Sequence, residues 1–353
     1  MTFITLTSEQ VMQELADFNE RLASGVRALS RVERIEVGVS ASDAVLQHDQ
    51  LVLYRFRSSC KRRRRIPLLI VYSLVNRPYM MDLEPGRSMI EGLLAAGIDV
   101  YMIDWGYAGS ADCHLTMEDY IAGYLLECVD HVRQASGSDS IDLLGVCQGG
   151  TFSLCFSALY PNRVRNLVVM VTPVDFHTPD NLLTNLIRCV DIDMLVDTLE
   201  NIPGEVLNFL FLSLNPFRLT GQKYVNLVDI LDDPGALTTF LRMEKWLSDN
   251  PAQAGATFRK FAKDFFQDNK LIKGEVQIGQ RTVGLQHVTM PVLNVYATQD
   301  YLVPPEASRA LARYCGSADY SELSFVGGHV GIYVSGRAQH EVPPAIAAWL
   351  KER

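Results

Sequence analysis

The chain contains no C-x-x-C pair, although seven of its 353 residues are cysteine (Cys60, Cys113, Cys128, Cys147, Cys155, Cys189 and Cys315). Their spacing frames neither a zinc site nor a disulfide set. An odd number of thiols suits a reducing compartment. Basic excess is also missing. The formal net charge is −9, which argues against nucleic acid as a partner. The opening MTFITLTSEQVMQELADFNE has no basic stretch followed by an apolar run, so it does not read as a secretory signal. No apolar run approaches the roughly 20 residues of a membrane span. Internal repeats and low-complexity tracts are absent. These absences leave a cytoplasmic globular protein as the expectation. Hydrophobic residues make up 48% of the chain, enough for a substantial core in one large domain with an insertion, or in two domains.

Periodicity divides the chain. Val11, Leu15, Phe18, Leu22, Val26 and Leu29 recur every three or four residues and predict an N-terminal helix over about 8–30. Ser8 is its candidate cap. Strands are expected over 51–56 and 67–72, with the basic run Lys61–Arg65 in a hairpin loop between them. That run reads as a solvated loop, or else as a patch for a phosphate-bearing substrate. Helix and strand patterns then alternate: helix 88–96, strand 99–104, helix 117–135, strand 141–145, helix 150–159 and strand 167–171. Such alternation calls for a mostly parallel sheet with helices on both faces. It stops near Asp175. Residues 176–285 are rich in Leu and Phe, read as mostly helical, and are broken by Pro203, Pro216, Pro234 and Pro251. Strand 292–296, helix 306–314, strand 321–325 and a terminal helix over 345–350 follow. The expected organisation is a discontinuous α/β core, 1–175 and 286–353, carrying a helical cap insertion at 176–285.

The chemistry concentrates in Gly145-Val146-Cys147-Gln148-Gly149-Gly150, set between a strand and a helix. This is the nucleophile-elbow pattern of the α/β-hydrolase fold, with Cys in place of Ser. Glycines let the turn close tightly, and the helix behind it points its N-terminus at the sulfur, favouring thiolate and oxyanion. The bland alternative is a small buried cysteine in a tight turn. In this fold the chain order is nucleophile, acid, histidine. Asp300 follows the strand-like VLNVYATQ, and His329 lies in Gly327-Gly328-His329-Val330-Gly331 after the last strand. Cys147, Asp300 and His329 are therefore the candidate triad. The other histidines have weaker settings. His177, just after a core strand, is the least easily dismissed, and otherwise reads as a satisfied loop residue. By position, the backbone N–H groups of Gln148 and Val75 are the candidate oxyanion donors.

These motifs resemble the short polyhydroxyalkanoate synthases, the catalytic subunits of class III. The resemblance rests on GVCQGG at 145–150, VNRPYMMDL at 75–83, DVYMIDWG at 99–106, YATQDYLVPP at 296–305 and GGHVGIYVSGRAQ at 327–339. It implies a cytoplasmic acyltransferase that polymerises (R)-3-hydroxyacyl-CoA, chiefly 3-hydroxybutyryl-CoA, and releases CoA. It implies a companion subunit, an oligomeric assembly, and work at the surface of a polyester granule. Acyl-CoA is then the substrate, and no cofactor or metal is expected. Class I and II members carry a longer N-terminal region than this chain, and the short class IV members use a different companion.

A cysteine suits such a reaction, because exchanging one thioester for another keeps the acyl group activated, whereas a serine ester would be less reactive. His329 would take the thiol proton. Asp300 would orient His329, or would act as base toward the incoming 3-hydroxyl. The cap would keep water from the acyl intermediates, with 207–214 a candidate channel lining. Arg77 and Arg62–Arg65 are candidates for the CoA phosphates. Two rival readings remain at this point: a cysteine-dependent thioesterase or lactone hydrolase, and a catalytically silent scaffold.

Overall fold

The computed structural model describes residues 35–58, 60, 64–217, 227 and 229–353, together with Met12, Gln13 and Ala16. The expected N-terminal helix over 8–30 lies outside the described residues, apart from those three, which are helical.

Eight strands form the central sheet: β1 (Ser42–His48), β2 (Leu51–Phe56), β3 (Leu68–Val71), β4 (Val100–Asp104), β5 (Ile141–Val146), β6 (Val164–Met170), β7 (Val292–Ala297) and β8 (Tyr320–Phe325). Their order is β1-β2-β4-β3-β5-β6-β7-β8. β2 runs antiparallel to β1 and β4, and every other neighbouring pair is parallel. The central strands β3 and β5 are buried at every residue, as continuous apolar runs must be when helices cover both faces. Alternation sorts their side chains. Leu69, Val71 and Leu143 join one apolar cluster, whereas Leu68, Ile70 and Leu144 join the cluster on the other face. The edge strand β1 is largely exposed.

This order corrects one expectation. β4 lies between β2 and β3, so these two strands are not paired as a hairpin. Strands adjacent in sequence need not pair, and the β2 edge has its own antiparallel partner in β4.

Helices α1 (Met89–Ala95), α2 (Leu125–Ser136) and α3 (Gln148–Leu159) link the strands. The Ser88 side chain caps α1 by accepting the Glu91 N–H. Between β6 and β7 the chain leaves the sheet and builds α4 (Leu182–Ile187), α5 (Ile192–Leu199), α6 (Gly204–Leu214), α7 (Pro234–Ser248) and α8 (Gly255–Phe261). Pro234 opens α7 at a position where a missing N–H costs nothing, and Asp233 caps it. Leu183, Ile187, Ile192, Val196, Ile202 and Leu207 make a small core of their own. From Ala254 onward, Phe261, Phe265 and Leu271 return to the main cluster. The insertion is not helical throughout: Val276–Ile278 and Arg281–Val283 pair as a short hairpin turning at Gly279, whose φ is 57°.

After β7 come α9 (Pro305–Arg309) and, following β8, α10 (Gly336–Lys351). The expected terminal helix began only after Pro343 and Pro344. The real one runs through both, because Ala338, Val342, Ile346, Ala347 and Leu350 bury one long face. Each proline removes a backbone donor, but the packing outweighs that loss.

α3 packs closely against the end of β3. A Cβ added at Gly149 would sit 2.2 Å from the Val71 carbonyl oxygen and 2.5 Å from that of Tyr72. One added at Gly150 would meet Thr172 Oγ1 at 1.8 Å. Backbone cannot yield as a flexible side chain would. Gly149→Ala is therefore expected to lower stability by about 1–3 kcal/mol, the usual range for overpacking. Urea unfolding checks this, and an unchanged midpoint would contradict the close packing.

Candidate active site

Cys147 stands in the turn from β5 to α3 with φ 53° and ψ −122°. Non-glycine residues rarely adopt positive φ, and the surroundings hold this one in place. Its N–H donates to the Met170 carbonyl (2.9 Å), and its own carbonyl accepts from Gly150 (2.9 Å) and Thr151 (3.2 Å). The thiol is free and half-buried. Gln148 is the first residue of α3, so its N–H has no acceptor within the helix. It lies beside the sulfur at the positive end of the helix dipole.

The loops after β7 and β8 bring the other two candidates together. Thr298 N–H donates to the Phe325 carbonyl (2.8 Å) and Gln299 N–H to that of Gly327 (2.9 Å). These bonds dock one loop on the other. Asp300 Oδ1 accepts the N–H groups of Leu302 and Val303, both at 2.9 Å. Its Oδ2 accepts from His329 Nδ1 at 2.6 Å. The Asp300 side chain is 1% exposed and that of His329 9%. Nδ1 is thus committed to Asp300, and the ring's remaining polar contact is with the Cys147 side chain.

Burial alone would make the imidazole give up its proton. The charges of Asp300 and Cys147 and their hydrogen bonds outweigh it and raise the His329 pKa to about 10. A group that holds its proton more tightly when folded stabilises the fold fully below its unfolded pKa of about 6.5. That contribution fades as pH rises through about 10.

The structure brings Cys147, Asp300 and His329 together, with Gln148 alongside. Val75 is differently engaged: its N–H donates to Ser73 Oγ at 2.8 Å, and the neighbouring Leu74 N–H donates to Gln148 Oε1 at 3.2 Å. Both donors of this loop are therefore occupied. His177 meets the Phe266 carbonyl through Nε2 at 2.9 Å, an ordinary loop contact. Arg64 pairs with Asp142 at the far end of β5 from Cys147, and burial raises the Asp142 pKa to about 6 against that pairing. Arg64 is thus structural. Arg62 lies outside the described residues. Arg77 pairs with Asp104 at 2.5 Å and lies over the Tyr107 ring at 4.2 Å.

Sequence reasoning missed the clamp on the loop after β3. Asn76 has φ 58°. Its N–H donates to Asn250 Oδ1 (2.8 Å) and its Nδ2 to the Trp246 carbonyl (3.1 Å). Trp246 Nε1 in turn donates to the Arg77 carbonyl at 2.9 Å. Asp249 accepts from the hydroxyls of Tyr79 (3.2 Å) and Tyr107 (2.5 Å). The Asn76-Arg77-Pro78 turn was the one available signal, and it says nothing of partners some 170 residues away. No group of residues suited to hold a metal ion occurs among the described residues.

A strained cysteine elbow, an acid after β7 and a histidine after β8 together make the arrangement of an α/β-hydrolase-type candidate site. The α/β hydrolase fold family matches residues 66–334. A putative lipase from Sulfolobus solfataricus superposes with a TM-score of 0.55 at 15% identity, over 91% of this chain and 99% of its own, which shows the fold alone. Two curated relatives are far closer in sequence. The poly(3-hydroxyalkanoate) polymerase subunit PhaC of Allochromatium vinosum is 57% identical over 99% of each chain. Its namesake from Synechocystis is 52% identical over 99% of this chain and 95% of its own. The chain belongs to the PhaC family of poly(3-hydroxyalkanoate) polymerase subunits.

If Asp300 holds the proton on His329, Asp300→Asn moves the imidazole's titration from near 10 down toward 6.5. NMR of labelled histidine follows this directly. An unmoved titration would mean that the carboxylate is not the source of the shift.

Proposed function

We propose that the chain polymerises (R)-3-hydroxyacyl-CoA, chiefly 3-hydroxybutyryl-CoA, into polyhydroxyalkanoate through a thioester on Cys147. The observation that carries this reading is His329, held by Asp300 on one side and in contact with the cysteine of a nucleophile elbow on the other, in a chain 57% identical to a named polymerase subunit.

The chemistry follows from the residues. Cys147 sulfur attacks the acyl-CoA carbonyl carbon with its proton already on His329, which holds that proton up to a pH of about 10. The developing oxyanion faces the Gln148 N–H, which has no acceptor within α3. Collapse expels CoA, which takes the proton from the imidazolium, and the acyl group is left on Cys147. The 3-hydroxyl of a further unit then attacks a chain-bearing thioester and gives its proton to His329, so an ester forms and the thiol returns. No cofactor is needed, because the acyl group arrives activated. Both Asp300 oxygens are already occupied in a side chain 1% exposed. This favours an orienting carboxylate over one that meets the substrate hydroxyl. Val75 would join the oxyanion hole only after its N–H leaves Ser73 Oγ. We read the insertion, residues 176–285, as a cap that keeps water from the acyl intermediates. Its α7 and the following Asp249 and Asn250 hold the loop after β3, so opening of the cap and rearrangement of that loop would be coupled.

The same reading gives the chain a companion subunit of the class III kind, an oligomeric assembly, and a place at the surface of a polyester granule in the cytoplasm. No helix among the described residues is long and apolar enough to cross a membrane.

The test is the product formed from (R)-3-hydroxybutyryl-CoA, with and without cell extract as a source of companion. Wild type is expected to release CoA and deposit insoluble polyester, faster with extract. Cys147→Ala should lose about 10³-fold or more. Release of CoA with only soluble 3-hydroxybutyrate would mark a hydrolase instead.

A further inference from the structure

Two tyrosines beside the nucleophile have no part in the mechanism above. Tyr72 follows β3, and Tyr333 lies on the short helix Gly331–Val334 just after His329. Both are buried, at 3% and 1% exposure. Their rings meet edge to face at 6.5 Å, and their hydroxyls approach to 3.5 Å. That distance is the far limit of a hydrogen bond. Among the described residues neither hydroxyl has a further hydrogen-bond partner. Both belong to an apolar cluster that also holds Met80, Met81, Val146 and Ile332, with Cys147 packed against it. Phenylalanine would fill the same space, so two poorly satisfied hydroxyls in such a setting call for an explanation. They are near enough to the Cys147 sulfur that its charge, added to the effect of burial, holds both phenols protonated.

We infer that the Tyr72–Tyr333 hydroxyl pair is the subsite for the oxygen on C3 of the acyl group carried by Cys147. The inference rests on the polymerase reading above. An acyl group on that sulfur brings two oxygens into the site. The carbonyl oxygen has the Gln148 N–H at the start of α3. The C3 oxygen needs a partner of another kind, because its chemistry changes as the polymer grows. In a free monomer unit it is a hydroxyl that donates and accepts. Once esterified it only accepts. A phenol serves both states by rotating its O–H, which neither a backbone N–H nor a carboxylate can do. Two phenols within reach of each other can exchange that role without leaving a proton stranded. Tyr72 and Tyr333 are on this account specificity-determining and positioning residues, and they take no proton in the reaction.

The test compares first-turnover CoA release from 3-hydroxybutyryl-CoA and from butyryl-CoA, which lacks the C3 oxygen, in wild type, Tyr72→Phe and Tyr333→Phe. Wild type is expected to favour the hydroxylated substrate at least ten-fold in kcat/KM, and each variant to lose at least ten-fold of that preference. A wild type that takes both substrates equally would overturn the subsite. So would variants that slow both substrates by the same factor, or neither, since a packing role alone predicts an unchanged ratio. Absence of CoA release from either substrate in wild type would instead remove the polymerase reading, and the subsite with it. Urea unfolding of each variant identifies one that has not folded, and the wild-type ratio and the other variant then carry the test.

Discussion

The candidate site is arranged around one strained peptide segment. Cys147 is held at a positive φ because its N–H is bonded to the end of β6 and its carbonyl to the first turn of α3. The strain is sustained by packing that leaves no room for relaxation. Gly149 lies against the carbonyls closing β3, and Gly150 against Thr172. The next strand end, at Val171, is strained as well, with φ 44° on a β-branched residue whose N–H is bonded to Val295. The nucleophile is thus fixed by β3, β5, β6 and β7 together.

The elbow in turn makes sense of the two loops facing it. Cys147 is held by its backbone bonds, and the mutual bonding of the loops after β7 and β8 brings His329 to it. Asp300 is clamped by two backbone N–H groups before it meets the imidazole. Its orientation is therefore set independently of the substrate. The loop after β3 is the opposite case. Its donors at Leu74 and Val75 are bonded to side chains, and its Asn76 is bonded to the insertion. One part of the site is built on the sheet, and the loop after β3 is tied to the insertion. A catalyst that must admit CoA and release a lengthening chain needs such a division.

Much of this was legible in the sequence, and the reasons are physical. β3 and β5 are buried on both faces, which forces unbroken apolar runs. Only a tight turn uses glycines at 145, 149 and 150 around a cysteine. The acid and the histidine follow strand patterns in a fixed order. What could not be read depends on contacts between distant segments. The placing of β4 between β2 and β3 leaves no local trace. Nor does the bond from Asn76 to Asn250, or the pairing of Arg64 with Asp142, which turned part of a candidate anion patch into a structural strut. Pro343 and Pro344 hid the first half of α10, because the proline rule weighs one lost donor and not a buried face of five residues. The hairpin at 276–283 was missed because the Leu and Phe content of its segment suggested helix. Tyr72 lies in an expected strand and Tyr333 drew no reading of its own, and only their hydroxyls, seen in three dimensions, set them apart.

The central claim is that the acyl group is carried on Cys147. It is tested most directly by mixing the protein with a slight excess of (R)-3-hydroxybutyryl-CoA, quenching in acid within the first turnover, and mapping the digested peptides by mass. The account predicts that the peptide containing Cys147 gains one or more 3-hydroxybutyryl units, removable by hydroxylamine, in step with released CoA. Release of CoA while Cys147 remains a free thiol, or an adduct on another residue only, would contradict it.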